Sequence, residues 1–235
     1  MQRLSVLMYH NICQDPSAGK GLTISLEKFE QQLKYLKNKG YVSCHLSELQ
    51  GLTSLTRKTV VLTFDDVTQN QLAAVRLLKQ YGFRATFFIP FAFLGKTDAW
   101  NNPGTEKIMT PEHLKSIDPE VVEFGHHSFL HRPYASLSEE EIHQDFMASR
   151  QIIEASGLKV YPAVAYPYGN FPKQEPAKSY FKKILESNGI RMGFRIGNRV
   201  NTFPFKDNFE INRIDVRGEW SLLRFRLKIR FGKLF

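Results

Sequence analysis

Cysteine is scarce in this chain, with Cys13 and Cys44 the two examples among 235 residues. Their spacing matches neither a zinc-binding pair nor a disulfide framework, so we interpret both as unpaired thiols. No run of about 18 apolar residues is present, and the start of the chain turns polar too early for the apolar part of a signal peptide. These absences predict a cytoplasmic protein without a transmembrane helix.

Apolar side chains, in contrast, are plentiful at 42%, and 13% of the residues are aromatic. That content is enough to bury one sizeable core in a single domain. The net charge is +9, and residues 221–235 hold five basic side chains and no acidic one. The rest of the chain is only mildly basic, which argues against a nucleic-acid partner.

Strand and helix signals alternate along the chain. Apolar and β-branched runs predict strands at about 5–9, 58–64, 85–90, 121–125 and 163–166, with weaker strands at 191–195 and 210–216. Helical periodicity predicts helices at about 26–39, 70–81 and 177–187, and another that starts after Ser138 and ends at Gly157. Six or more such units predict a mostly parallel sheet or barrel, in which chemistry gathers at the carboxyl ends of the strands.

Two adjacent carboxylates, Asp65 and Asp66, directly follow the strand predicted at 58–64, and two histidines, His127 and His131, follow a later strand. Either pair alone is compatible with ordinary solvated side chains. Together they match a metal site of two histidines and one carboxylate, with a spare carboxylate as a base. The pattern therefore favours hydrolysis by a metal-activated water.

Three motifs in this order resemble a known family. They are TFDD at 63–66 followed by Asn70, GHHSFLH at 125–131 and AYPYG at 165–169. The chain is similar here to the polysaccharide deacetylases of carbohydrate esterase family 4, the NodB-homology fold. The opening LMYH at 7–10 resembles the branch that includes the poly-N-acetylglucosamine deacetylases. The resemblance implies an α/β fold, an irregular (β/α) barrel with fewer than eight strands, in a catalytic domain of residues 1–217 with a basic and aromatic tail at 218–235.

The resemblance also implies a role for each matched residue. Asp65 would be the general base, and Asp66, His127 and His131 would bind one divalent metal ion, usually zinc. The backbone N–H of Tyr168 would stabilise the oxyanion, while Tyr166, Pro167 and Tyr168 would contact an N-acetylated sugar or glycan.

The sequence departs from the family pattern in three respects. Val67 replaces the usual glycine after the aspartate pair, although valine disfavours positive φ. The usual arginine before the Pro-Tyr motif is absent, and Arg213 is our candidate substitute, with a surface ion pair as the alternative. No late histidine is present, so His10 becomes the general acid, with a hydrogen-bonded core histidine as the alternative. We interpret His126 as structural.

The basic and apolar residues of 224–231 alternate with period 2, which suits an amphipathic strand or an arm lying on an anionic membrane at its inner face. The alternative is a C-terminal strand or helix that packs on its own domain and has a solvated basic face.

The function expected is removal of an N-acetyl or N-formyl group from an amino sugar of a cell-envelope glycan, glycolipid or precursor. One alternative is an inactive carbohydrate-binding protein on the same fold. A glycoside hydrolase is disfavoured, because adjacent carboxylates need not flank one bond.

Overall fold

Parallel strands close into a barrel in the computed structural model, which describes residues 2–100 and 106–233. In chain order the strands are β1 (Gln2–Tyr9), β2 (Asn11–Cys13), β3 (Thr23–Ser25), β4 (Val42–Ser43), β5 (Thr59–Asp65), β6 (Ala85–Ile89), β7 (Val122–His126), β8 (Val160–Ala165), β9 (Met192–Ile196), β10 (Asn201–Phe203) and β11 (Ile211–Asp215). Seven of them, β1, β5, β6, β7, β8, β9 and β11, pair in parallel, and β11 and β5 both pair with β1 to complete the ring. The predicted irregular barrel with fewer than eight strands is confirmed.

Helices cover the outside of the barrel. They are α1 (Leu26–Asn38), α2 (Leu72–Tyr81), α3 (Pro111–Lys115), α4 (Glu139–Ser156), α5 (Ala177–Ser187) and α6 (Leu222–Phe231). Ser25 and Ser138 cap α1 and α4 through their side chains, as their positions predict. No helix of the described residues is long and apolar enough to cross a membrane, and Cys13 and Cys44 are both free.

Alternate residues of the barrel strands face two different environments. On β5, Leu62 and Phe64 belong to the large core cluster that also contains residues of α1 and α2. Val61 belongs instead to a cluster built from barrel strands and loops without α-helical residues, together with Phe88 and Phe194. Both faces of each strand are therefore buried, which explains the continuous apolar runs in the sequence.

Gly125 lies against the Phe88 ring near the carboxyl end of the barrel. A Cβ at this position would lie 2.7 Å from the Phe88 ring, so only glycine leaves room for the ring between β6 and β7. Phe88 is paired with Asp65 of β5 in the sheet. Asp65 is the last residue of β5, so this level is the carboxyl end of the barrel.

The C-terminal segment forms α6 rather than an amphipathic strand or arm, which agrees with the alternative of a helix packed on its own domain. Phe225 and Ile229 of this helix are buried in the same core cluster as α1, and the Ser5 hydroxyl donates to the Ile229 carbonyl at 2.6 Å. In a helix, residues four apart share one face and residues two apart lie on opposite faces. The alternating apolar residues are therefore divided between an inner face and an outer face of α6. The division into 1–217 and 218–235 stays a prediction about function, since α6 shares the barrel's core.

Candidate active site

The strand ends bring the predicted site residues together. Asp65 is the last residue of β5, His10 directly follows β1, and His127 directly follows β7. Arg213 lies inside the barrel on β11 and has no solvent-exposed surface. Residues more than 200 positions apart in the chain thus meet at one end of the barrel.

Asp66, His127 and His131 present three buried ligand atoms to one another. Asp66 Oδ1 lies 3.5 Å from His127 Nε2 and 3.4 Å from His131 Nε2, and the two imidazole nitrogens are 3.2 Å apart. Ligands held about 2.0–2.1 Å from a tetrahedral zinc ion stand about 3.4 Å from each other. Asp66 Oδ1 is also buried without a hydrogen-bond partner. These three residues fit a divalent metal ion.

The two histidines are in the form that metal binding requires. Burial lowers the pKa of His127 to about 4 and that of His131 to about 2, so both rings are neutral at physiological pH. His127 Nδ1 lies 2.8 Å from the Ala165 carbonyl, which can only accept, so Nδ1 carries the hydrogen. His127 Nε2 is therefore left with its lone pair free for a metal.

Asp65 forms a two-pronged ion pair with Arg213, at 2.6 and 2.7 Å. Burial of the carboxyl group acts to raise its pKa, but the charge of Arg213, supported by the nearby histidines, holds the pKa of Asp65 well below its usual range. Asp65 is consequently ionised at neutral pH and able to accept a proton. The structure thus places Arg213 against Asp65 inside the barrel rather than at the surface.

His10 lies beside the same carboxylate, with Nε2 3.7 Å from Asp65 Oδ2. Burial lowers the pKa of His10 to about 4, and Arg213 and Arg217 act in the same direction against the attraction of Asp65. The ring is thus neutral in the free protein. Its Nδ1 atom is buried without a hydrogen-bond partner among the residues the structure describes.

Gln71 supports His10 and Asp65, and the sequence analysis did not identify it. Its side-chain amide donates to the carbonyl oxygens of His10, at 2.9 Å, and Asp65, at 2.6 Å. Asn70, which the motif does include, accepts from the Ile12 N–H at 3.0 Å. Both residues tie the segment after β1 to the loop after β5. For Gln71, the position directly before α2 was the only signal in the sequence.

Trp100 is a second residue that the sequence analysis missed. Its ring stacks on His131, with centroids 3.9 Å apart and planes 19° from parallel. Its side chain also hydrogen-bonds Asp66, which offsets part of the strong rise that burial and the Asp65 charge cause in the pKa of Asp66. Trp100 therefore contacts two of the three metal-ligand candidates from a loop without a recognisable motif.

The two tyrosines of the Pro-Tyr motif have different environments. Tyr166 is completely buried and its hydroxyl donates to the Phe209 carbonyl at 2.8 Å, so the expectation that its ring contacts sugar is wrong. Pro167 is buried as well. The Tyr168 ring is 57% exposed and lies 4.9 Å from the His131 ring. Its backbone N–H has no acceptor among the described residues, as the predicted oxyanion role requires.

Left-handed backbone conformations are concentrated in the three motif loops. Five of the six non-glycine residues with positive φ in the described chain lie there, namely Asp66, Val67, Ser128, His131 and Tyr168. Val67 adopts φ 45° despite its branched side chain, which is fully buried, and its carbonyl accepts from Met109 N–H at 2.9 Å. Such strain persists only where the surrounding structure imposes it, and it is typical of functional sites.

Helix α4 supports the histidine loop from outside. Asp145 accepts hydrogen bonds from the Phe129 N–H at 2.8 Å and the Tyr134 hydroxyl at 3.2 Å, on either side of His131 in the chain. Burial raises the pKa of Asp145 to about 6. His126 packs between the rings of Phe91 and Phe146, in keeping with the structural role expected for it.

The closed parallel barrel and the three motif loops together define a class of protein. Sequence comparison identifies the family to which this class belongs. The profile of the polysaccharide deacetylase family matches residues 53–193, more than half of the chain. The chain belongs to this family, the NodB-type proteins of carbohydrate esterase family 4. YxkH of Bacillus subtilis, a protein named for the same family, is 26% identical over 196 residues, or 81% of this chain. Those residues span 63% of YxkH, less than two thirds of its length.

Solved structures show the same fold along nearly the whole chain. The Streptococcus pyogenes deacetylase PplD, in complex with acetate, has a TM-score of 0.80 and 21% identity over 97% of this chain and 98% of its own. A de-N-acetylase from Aggregatibacter actinomycetemcomitans has a TM-score of 0.79 and 20% identity over 97% of this chain and 100% of its own. IcaB from Ammonifex degensii has a TM-score of 0.77 and 23% identity over 98% of both chains.

Proposed function

We propose that the protein hydrolyses the amide of an N-acetylated amino sugar in a cell-envelope glycan, glycolipid or precursor. One observation carries this proposal: three metal-ligand candidates, Asp66, His127 and His131, share a buried site with an ionised spare carboxylate, Asp65. A divalent metal ion bound there would polarise the acyl oxygen and make water a better nucleophile. We propose zinc, which prefers this set of ligands.

The residues of the chain supply the proton transfers. Asp65 accepts a proton from water as the water oxygen adds to the acyl carbon, and the Tyr168 N–H donates to the oxygen that becomes negative. His10, neutral and 3.7 Å from Asp65, takes this proton and passes it to the departing nitrogen. The carbon–nitrogen bond then breaks, and the products are the free amine and acetic acid, which releases its remaining proton to solvent as acetate.

The surroundings of the site support a sugar substrate. The exposed ring of Tyr168 beside His131 offers an apolar face against which a pyranose can pack. The PplD structure contains acetate, the product that such a hydrolysis releases. The acyl group and the acceptor are open to direct assay.

Release of acetate and of formate from nucleotide sugars, lipid-linked sugars and oligosaccharides tests the proposal. Asp65→Asn should keep the metal and lose about 10²- to 10⁴-fold in hydrolysis, because an amide cannot accept the proton of the water. His127→Ala and His131→Ala should lose the metal by elemental analysis while their circular dichroism spectra remain unchanged.

His143→Ala is the matched control, because His143 is half exposed on α4 and its side chain contacts Glu139 and Asn188, which lie outside the motif loops. It should retain both metal and activity. Full metal occupancy in both ligand variants, or normal hydrolysis by Asp65→Asn, would contradict the assignment. A wild-type protein that binds metal and glycan without releasing either acid would instead be an inactive binding protein.

A further inference from the structure

Helix α6 has a second apolar face that the protein core does not cover. Leu223, Leu227 and Phe231 follow one another at intervals of four residues, with 61%, 38% and 50% of their surface exposed. Phe225 and Ile229 meanwhile fill the core from the opposite face. A contiguous row of large exposed apolar side chains, which we call the apolar row, is typical of a binding surface.

A cleft of about 770 Å³ runs along one side of the apolar row. Its lining includes six basic residues and no acidic one: Arg3, Lys39, Arg57, Lys58, Arg226 and Arg230. None of these six forms an ion pair with another residue that the structure describes. Like charges gathered without counter-ions repel one another, so an anionic partner would be favoured here.

The other side of α6 is basic too. Arg224 and Lys228 extend over the Trp220 ring, at 5.6 and 5.5 Å, and both line a second cleft with Lys233. The lining of this cleft is mixed in charge, since it also contains Glu210, Asp215 and Glu219. Lys228 is only 8% exposed and forms no ion pair within the described chain. The apolar row is thus bordered by cations on both sides.

We propose that α6 binds the surface of an anionic phospholipid membrane. The apolar row enters the boundary between headgroups and acyl chains, and the bordering cations contact lipid phosphates. Nucleic acid would satisfy the cations but leave the apolar row in water, and the helix is too short and too charged to cross the bilayer. An anionic lipid surface complements both features.

The position of α6 keeps the barrel open in this arrangement. The helix starts after Trp220, close in sequence to the carboxyl end of β11, and ends beside Arg3 and Ser5 of β1. It therefore lies along the side of the barrel rather than across the end that holds Asp65. Contact through α6 leaves the catalytic end free, and this inference does not depend on the proposed hydrolysis.

Cosedimentation of the full chain with vesicles tests the proposal. The protein should bind vesicles of equal phosphatidylglycerol and phosphatidylcholine at 0.1 M salt, bind pure phosphatidylcholine far less, and release at 1 M salt, where the Debye length falls to about 3 Å. Arg226→Gln combined with Arg230→Gln should weaken partitioning about 25-fold, at about fivefold per basic residue near the membrane. Leu223→Ser combined with Leu227→Ser and Phe231→Ser should weaken it by at least about tenfold.

Matched controls separate this surface from general effects of charge and hydrophobicity. Met147→Ser with Tyr180→Ser removes equally exposed apolar groups elsewhere, and Arg76→Gln with Lys115→Gln removes two exposed cations far from α6. Both controls should partition like wild type. These substitutions are preferred to deletion of 221–235, because loss of Phe225 and Ile229 would open the core.

Two results would overturn the proposal. One is absence of wild-type binding to the anionic vesicles at 0.1 M salt. The other is binding by the serine variant equal to that of wild type, which would show a surface that attracts any polyanion. Thermal unfolding of each variant at the wild-type temperature verifies that the comparison is between folded proteins.

Discussion

Asp65 and Asp66 are neighbours in the chain, yet their carboxyl groups have opposite electrostatic environments. Burial raises the pKa of both, but Arg213 reverses the shift for Asp65 alone. Asp66 has no cation of its own, and the charge of Asp65 adds to the penalty of burial. Two carboxyl groups whose pKa values are moved apart are suited to different roles, one as a base and one as a metal ligand.

His10 gives a prediction that distinguishes catalysis from packing. His10→Ala should cripple hydrolysis of an N-acetyl amide, because an amine departs with difficulty unless it is protonated, with a loss of about 10²- to 10⁴-fold. Hydrolysis of an activated aryl acetate should change little, since that leaving group needs no proton. Initial rates on the two substrates provide the measurement, and equal losses on both would indicate a structural role.

The motifs identified residues that the structure places together, but the sequence did not predict environments that a distant contact decides. The site brings together Asp65, Asp66, His127 and His131 as expected. Tyr166 was expected to face the sugar, but it is held in the core by the Phe209 carbonyl, 43 positions away. No local pattern distinguishes Tyr166 from the exposed Tyr168, since the difference arises from tertiary packing.

At the scale of elements, local signals predicted most helix boundaries. The caps Ser25 and Ser138 and the terminal Gly157 act through contacts within one turn, so the sequence alone identifies them. Helix α6 was predicted as a strand or arm because its apolar residues alternate. Ser221 accepts from the Arg224 N–H as an N-cap and Gly232 ends the helix, so these two residues were the signals for a helix.

The loop after β5 offers a test of backbone strain. Val67→Gly should be more stable than Val67→Ala by about 0.5–1 kcal/mol, because alanine keeps the cost of positive φ while both lose the buried methyl groups. Urea unfolding monitored by circular dichroism measures the difference. Val61 on β5 is an equally buried control with ordinary strand geometry. At Val61 the glycine variant should be less stable than the alanine variant. If the glycine and alanine variants had the same order of stability at Val61 and Val67, the backbone at Val67 would not be strained.

The loop between β7 and α4 should respond to pH through Asp145. Its pKa is raised by burial to about 6 in the folded state, against about 3.9 when unfolded. Stability from this group is therefore fully present below pH 3.9 and is lost as pH rises through 6, by about 3 kcal/mol. Asp145→Asn cannot titrate. Its free energy of unfolding minus that of wild type should therefore increase as pH rises from 4 to 7. A constant difference across that range would contradict the assignment.

At the scale of the whole molecule, the site depends on closure of the barrel. Arg213 reaches Asp65 because β11 pairs with β1, and β1 pairs with β5, across more than 140 residues. Alternating strand and helix signals predict the class of fold, but they do not state which strands meet at the seam. Periodicity contains no long-range register, and the resemblance to a family implied a barrel without stating which strands close it.

The metal-ligand candidates come from the loops after β5 and β7, so a bound ion would join two units of the barrel. A ligand that binds only the folded state stabilises it by mass action, by about 2.7 kcal/mol when its free concentration is 100 times Kd. Zinc should therefore raise the free energy of urea unfolding of wild type relative to the protein in a chelator. His131→Ala, with one ligand fewer, should show little gain, whereas His143→Ala should gain as wild type does. Equal stability of the wild type with zinc and with chelator, or an undiminished gain in His131→Ala, would show that these residues do not bind the ion.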